Sequence, residues 1–278
     1  MRKEVRAAVY DDRLRMVAYR LEGIARPFPN HFHEYYAMGF MEDGERVLSC
    51  NNREYTIAKG DVLLFNPGDS HACVQRGGGT LHYRGFTIAR EVMLDLAEEV
   101  AGSRELPGFS QNVIHDEEAA CRLRSLHELV MKGSGEWGRE ENLLRLISLL
   151  VRRYGQSLES CVPACREEIE KACAFIERHY AERICLDQIC RCAGLSKSTL
   201  LRAFVRSKGV TPYSYLENVR IGKAKKLLEQ GVPPVEAALQ TGFSDQSHFT
   251  NYWVRLIGLA PGIYRDIFKD TGKMPREG

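Results

Sequence analysis

Through the first ninety residues apolar positions fall in short runs with a period near two, the spacing of half-buried strands. Runs over residues 14–21, 31–41, 46–50, 54–57, 61–65 and 82–88 are punctuated by Asp43-Gly44, Asn51-Asn52, Gly60 and Asn66-Pro67-Gly68. Each of these suits a tight turn, and Asn-Asn tolerates the positive φ of a two-residue hairpin. Many short strands joined this way predict a small barrel or jelly roll over residues 1–90. The period then lengthens to that of helices. Residues 116–131 set Ala119, Ala120, Leu123, Leu126, Leu129 and Val130 on one stripe, and residues 139–154 do the same with Leu143, Leu144, Leu146, Ile147, Leu149, Leu150 and Val151. Gly133, Gly135 and Gly138 interrupt the chain between them. More apolar surface than two short helices need for each other predicts either a dimer interface over residues 116–154 or a cover for the open side of the barrel.

The last hundred residues write one pattern twice. Gly194-Leu195-Ser196, Leu200, Phe204, Gly209, Thr211, Pro212 and Tyr215 are answered by Gly242-Phe243-Ser244, Phe249, Trp253, Gly258, Ala260, Pro261 and Tyr264. From the apolar anchor onward the spacings are identical; only the turn differs, by one residue. An apolar-periodic segment ends at each first glycine, whose positive φ stops a helix. Ser196 and Ser244 then stand where an N-cap oxygen would start the next one, and each of those helices ends at a glycine, followed by a proline suited to a first helical turn. This is helix-turn-helix grammar. Residues 213–230 read as a connecting helix of about 18 residues, roughly 27 Å long, a length that can hold two exposed helices about one DNA turn apart.

Charge sharpens the picture. Net charge is only +2 over 278 residues, but residues 1–165 carry 21 basic and 24 acidic side chains while residues 166–278 carry 18 and 13. Between Ser196 and Lys226 stand Lys197, Arg202, Arg206, Lys208, Arg220, Lys223, Lys225 and Lys226 against the single acid Glu217, a run suited to a phosphate backbone. A composition of 44% hydrophobic and 27% charged residues is that of a globular protein. No apolar run reaches membrane-span length and no signal-peptide core follows Met1, so a cytoplasmic, nucleoid-associated protein with reduced thiols and no membrane partner is expected. Of nine cysteines, Cys161, Cys165, Cys173, Cys185, Cys190 and Cys192 cluster without a zinc spacing. Cys173, Cys190 and Cys185 read as core positions, and Cys161 with Cys165 as the more reactive pair.

The doubled pattern, with Leu186-x-x-Ile189-Cys190 in the first copy and Gly242-Phe243-Ser244-Asp245-Gln246-Ser247-His248-Phe249 in the second, resembles the AraC/XylS family of bacterial transcription regulators. Cys190 stands where that family usually has Ala, and Pro234 where it usually has an aliphatic residue. The resemblance implies a tandem helix-turn-helix domain over residues 167–270 that binds double-stranded DNA, with a small-molecule effector, RNA polymerase and a second copy of the chain as further partners. It implies base contacts from Ser198, Thr199 and Arg202 on the first helix and Gln246, Ser247, His248, Thr250 and Asn251 on the second, where Arg often replaces Asn251. Lys197, Arg206 and Lys208 would grip phosphates. An activator is the expected sense of regulation, and no enzyme activity or cofactor is implied.

Gly60, Asn66-Pro67-Gly68-Asp69-Ser70-His71 and His31-Phe32-His33 together resemble a cupin, here as a sensing domain over residues 1–90, followed by a helical segment at 91–155 and a linker at 156–166. The class is α+β. Alternation would put His31 and His33 on one strand face. A metal cupin would add His71 and a Glu, but Ala37 and Met38 occupy the Glu positions and Glu34 points away. His31, His33 and His71 could still hold a metal with water, or line an effector pocket with Arg84, Tyr36, Met38, Phe65 and Phe86. Arg84 would favour a carboxylate or phosphate, or serve as a surface cation. A metal-dependent cupin enzyme and a cysteine-based redox or metal sensor stand as the alternative functions.

Overall fold

The computed structural model describes residues 4–102, 104–133, 136–157 and 166–268. By their contacts they form two compact units, residues 1–27 with 34–160, and residues 28–33 with 161–278. The architecture is α+β.

The strands run β1 (Val5–Asp11), β2 (Met16–Ile24), β3 (Phe28–His31, within the second unit), β4 (Tyr36–Asp43), β5 (Arg46–Cys50), β6 (Arg53–Ile57), β7 (Val62–Phe65), β8 (His71–Gln75), β9 (Leu81–Ile88), β10 (Pro107–Phe109), β11 (Val113–Ile114) and β12 (Gly155–Ser157). In the first unit one sheet has the order β1-β2-β9-β4-β7-β11, and β5 pairs antiparallel with both β6 and β8. The β5–β6 hairpin turns at Asn51 and Asn52, whose φ values of 49° and 63° are the left-handed geometry this turn demands. β10 and β12 form a separate ribbon, so Gln156 and Ser157 are strand where a linker was expected; the rest of that linker, with Cys161 and Cys165, lies outside the described residues.

Three helices follow the strands: α1 (Arg90–Ala101), α2 (Glu117–Lys132) and α3 (Glu136–Tyr154). They cover one face of the larger sheet. Met16, Ala18, Tyr36, Met38, Phe40, Val62, Leu64, Phe86 and Ile88 alternate along β2, β4, β7 and β9 and merge with Met93, Leu123, Leu126, Leu146 and Ile147 into one core. Asp116 caps α2 by accepting from the Ala119 amide at 3.0 Å, and receives Arg153 Nη1 and the Tyr154 hydroxyl, each at 2.8 Å. Burial opposes its ionisation, but these bonds outweigh it and bring its pKa down to about 2.

The apolar stripes of α2 and α3 are therefore consumed by the sheet. Among the described residues the large exposed hydrophobics of this unit reduce to Val74, so the described side chains of residues 116–154 show none of the large exposed hydrophobics expected there. The sequence pattern counted apolar positions on the helices without counting the sheet face they must cover. Asn66, where a cupin would have Pro, has a structural use. Its side chain donates to the Phe109 carbonyl at 3.0 Å and accepts from the Phe109 amide at 2.7 Å, docking β10 as a strand neighbour would.

The second unit contains α4 (Arg166–Arg178), α5 (Leu186–Ala193), α6 (Lys197–Lys208), α7 (Pro212–Glu229), α8 (Pro234–Gln240), α9 (Gln246–Ile257) and α10 (Pro261–Asp266). Leu200 and Phe204 of α6, and Phe249 and Trp253 of α9, are fully buried. The repeated tyrosines close the two cores alike: the Tyr215 hydroxyl donates to Glu177 at 2.6 Å and that of Tyr264 to Glu229 at 2.7 Å. Pro234 opens α8 at its first turn, where it costs no hydrogen bond. Gly242 takes φ +82° beside the Ala181 carbonyl, which a Cβ would meet at 2.7 Å.

Candidate functional site

The two repeats present their second helices in matching fashion. Ser196 caps α6, accepting from the Thr199 amide at 3.3 Å. In the second repeat the cap is Asp245, not Ser244: its carboxylate accepts from the His248 amide at 2.7 Å, and Ser244 only donates to Asp245 at 3.2 Å. The one-residue difference between the turns is the cause. That same amide bond is the first reason the Asp245 carboxyl sits below the usual range.

Ser198 and Arg202 on α6, and Gln246, Ser247 and Asn251 on α9, are exposed; Thr199 and Thr250 are partly exposed. Arg202 Nε donates to the Ser198 carbonyl at 3.3 Å, which orients the guanidinium along the outer face. Thr199 shares a 2.9 Å hydroxyl contact with Ser196 and so belongs to the cap as much as to the outer face. His248 leans inward, its Nε2 3.4 Å from Glu217 on α7. Glu217 is buried and also hydrogen-bonds the Tyr213 and Tyr252 hydroxyls. A connector carboxylate thereby ties down the second exposed helix.

The basic run is less uniform than its sequence. Lys197 and Arg206 are exposed, Lys197 with a 2.7 Å ion pair to Asp187, and Lys208 is half-buried. Arg220 donates to the carbonyls of Tyr180 and Glu182, at 2.8 and 3.0 Å. Lys223 lies over the Tyr180 ring, and Lys225 over Tyr264 with Glu229 at 3.6 Å. Burial pulls the Lys225 pKa down against the attraction of Glu229. These three cations hold helices together and do not belong to a phosphate-facing stripe, because α7 is packed on several sides. The residue missed is Arg255, exposed on α9. The 49-residue offset that takes Phe204 to Trp253 also takes Arg206 to Arg255.

The other candidate residues do not share one wall. Tyr36, Met38 and Phe86 lie in the helix-covered core, and the Tyr36 hydroxyl donates to the Pro107 carbonyl at 2.7 Å. Arg84 sits on that same face of β9, paired with Glu42 at 3.2 Å, which Arg124 also reaches at 3.4 Å. His31 ends β3, His33 follows it outside any strand, and both belong to the second unit; the chain breaks before β4, so no strand alternation links them. Phe65, on the face turned toward the smaller sheet, meets another candidate, His71 of β8, their rings stacked 4.1 Å apart, with His71 Nδ1 donating to the Asp69 carbonyl at 2.9 Å. Among the described residues no three His, Cys, Asp or Glu side chains are grouped to hold a metal.

This inner face differs physically from the helix-covered one. Val17, Leu21, Ala37, Leu63, Phe65 and Tyr83 keep between 5% and 8% exposure, whereas Met16, Ala18, Met38, Phe40, Val62, Leu64, Phe86 and Ile88 keep at most 1%. Tyr19 and Thr87 on the same inner face are half-buried, as is Cys73 on β8 of the smaller sheet. Gly39 and Gly85 pair directly across β4 and β9, with the Tyr83 ring over the first and the Tyr19 ring over the second. Arg46, fully buried on β5, donates an Nη2 hydrogen to the Ile24 carbonyl. Its place in the sequence was a signal: Arg46, Leu48 and Cys50 alternate in phase on the buried side of β5.

Cys173 and Cys190 are buried in the second unit's core, but Cys185 is exposed just before α5, whose first turn uses its backbone amide to bind Gln188 at 2.7 Å. No described helix is long and apolar enough to cross a membrane.

Residues 189–267 match a helix-turn-helix domain family, and residues 15–150 match the AraC-like ligand binding domain family. The chain is 46% identical over 249 residues to the uncharacterized HTH-type transcriptional regulator YbfI of Bacillus subtilis, covering 89% of this chain and 90% of that one. It is 26% identical over 258 residues to the HTH-type transcriptional activator RhaS of Salmonella arizonae, covering 90% of each. Among solved structures, unsaturated fatty acid bound ToxT of Vibrio cholerae aligns with a TM-score of 0.56 at 16% identity, over 97% of this chain and 99% of that one. With its doubled, N-capped outer helices and its two-sheet N-terminal domain, the chain belongs to the AraC family of transcriptional regulators.

Proposed function

We propose that this regulator is an effector-responsive activator whose α6 and α9 read two adjacent half-sites of one operator. The observation that carries the reading is the duplicated outer helix, capped and exposed at equivalent positions. Ser198 and Arg202 read bases from α6, with Thr199 at its edge; Gln246, Ser247, Thr250 and Asn251 read from α9, with His248 positioned by Glu217. Arg202 is the strongest reader, because a guanidinium can pair bidentately with guanine, at about 1–3 kcal/mol of discrimination. Lys197, Arg206, Lys208 and Arg255 hold phosphates, which sets affinity and salt dependence more than sequence preference.

The effector binds inside the first unit, between the inner face of the larger sheet and β5–β8, where apolar walls meet a few polar groups. Activation through RNA polymerase and a homodimer through residues 116–154 complete the reading. The dimer would join polar outer faces of α2 and α3 that carry Glu118, Arg122, Arg145 and Arg152.

Binding of the full chain to operator fragments recovered by genome-wide occupancy tests the reader assignment. Arg202→Ala should erase the preference for cognate over scrambled DNA while weak binding persists, and Lys208→Ala should weaken both duplexes alike. Unchanged preference in Arg202→Ala removes it from the reading set. Run-off transcription with purified polymerase tests the activator role, and sedimentation at rising salt tests the polar dimer.

A further inference from the structure

Among the described residues of the first unit Arg46 is the fully buried Lys or Arg, and it is only partly satisfied. Its Nη2 is bonded to the Ile24 carbonyl, while Nε and Nη1 are buried with no acceptor. Among the described residues no carboxylate pairs with it; its electrostatic neighbour is the Cys73 thiol, which burial pushes up to about 11 against the pull of Arg46 and which therefore stays neutral. The Tyr83 hydroxyl, within electrostatic reach of the same Cys73, is buried and hydrogen-bonds Tyr19, the two ring centroids 5.9 Å apart. Burial raises both phenols, Tyr19 to about 12, so both keep their protons. Among the described residues Arg46 thus brings a positive charge to this interior with no carboxylate to receive it.

A buried charge left uncompensated is strongly destabilising, whereas a guanidinium meeting a carboxylate in a water-poor site forms short, charge-assisted bonds. We infer that the effector carries a carboxylate, seated on Arg46, and an apolar body against Leu21, Leu48, Leu63 and Phe65. A single cation matches a monoanion better than a phosphate dianion. This inference rests on the reading of the interior between the two sheets as the effector site and adds to it the charge of the effector.

The test uses the full chain with benzoate and hexanoate, their uncharged amides benzamide and hexanamide, and inorganic phosphate as probes, followed by thermal unfolding and titration calorimetry. At least one carboxylate should raise the melting temperature of the wild-type chain and bind at least about tenfold more tightly than its amide. Phosphate should do neither. The carboxylate–amide comparison needs no variant to fold. Arg46→Met should lose about tenfold or more in carboxylate affinity yet melt, without probe, no lower than wild type, since it removes an unpaired charge and keeps the volume. A merely structural arginine would instead give a less stable variant with unchanged carboxylate binding. Equal binding of amide and carboxylate, a preference for phosphate, retained affinity in Arg46→Met, or no response to either carboxylate overturns the inference. If an uncharged ligand fills this interior and alters operator affinity, the effector site stands and only its charge is wrong; if carboxylates bind at Arg46 without altering operator affinity, the site's regulatory role fails instead.

Discussion

Lys225 offers a sharp test of how the basic run is divided. By sequence it is one of eight cations between residues 196 and 226; in the fold its ammonium lies 6.0 Å from the Tyr264 ring centre and 3.6 Å from Glu229, with its side chain 13% exposed. A cation spent in this way cannot release a counterion from DNA. Each phosphate contact contributes about 0.9 to the slope of log affinity against log salt, so over a fourfold rise from 50 to 200 mM one lost contact changes the affinity ratio by about 3.5-fold. Lys225→Met should leave that ratio unchanged within error, whereas Arg206→Ala, exposed on α6, should reduce the loss of affinity by the full factor. Fluorescence anisotropy on a labelled operator at five or more salt concentrations resolves the two. A slope for Lys225→Met that flattens by about one unit would refute the division, placing Lys225 on the DNA and its packing against Tyr264 as incidental.

Asp116→Asn should cost about 2 kcal/mol near neutral pH, from the difference between a carboxyl's usual 3.8 and its value of about 2 here. Because the folded pKa is depressed, that contribution is complete above about pH 4 and disappears as the pH falls through about 2; denaturant midpoints for both proteins across that range should converge, and a gap that persists in acid contradicts the assignment. Gly39→Ala would put a Cβ 2.3 Å from the Arg84 carbonyl and 2.5 Å from the Tyr83 hydroxyl, so a loss of about 1–3 kcal/mol is expected in urea unfolding, and an unchanged midpoint would show that the two glycines are not packed for close approach. Glu217→Gln weakens the hold on His248 and Tyr252; a loss of about tenfold on intact operator, falling to near nothing when the half-site under α9 is scrambled, is the expected pattern for a charge-assisted contact. Equal losses on both duplexes would rule out positioning of α9 alone.

What could be read in advance follows from how local each signal is. The doubled outer helices were legible because glycine stops, caps and apolar anchors act within a turn of one another, and even the misplaced cap, Ser244 for Asp245, was an error of one residue already visible in the unequal turn lengths. The β5–β6 hairpin was legible for the same reason, through Asn51 and Asn52. The effector residues were not. β4 reads Tyr-Ala-Met-Gly-Phe-Met, apolar on both faces, and no local rule says which face meets helices and which meets the smaller sheet. Tyr36, Met38, Arg84 and Phe86, expected together in one pocket, instead lie on the helix-covered face, while Arg46, Tyr19 and Tyr83 were not singled out. α7 hid its structural cations similarly, since the partners of Arg220, Lys223 and Lys225 come from Tyr180, Glu182, Glu229 and Tyr264, as far as 40 residues away in the chain.

The two-faced central sheet also bears on how such a regulator can acquire a new inducer. Along β2, β4, β7 and β9 every second side chain is committed to the dry helix-covered core, and the intervening ones face the smaller sheet, where the effector is proposed to bind. A substitution at one of these intervening positions can reshape specificity while its strand neighbours go on supporting the fold. An insertion or deletion of one residue would exchange the two sets and lose both at once. Descent with altered specificity should then proceed through point changes at alternate positions of these strands, with length variation confined to their turns.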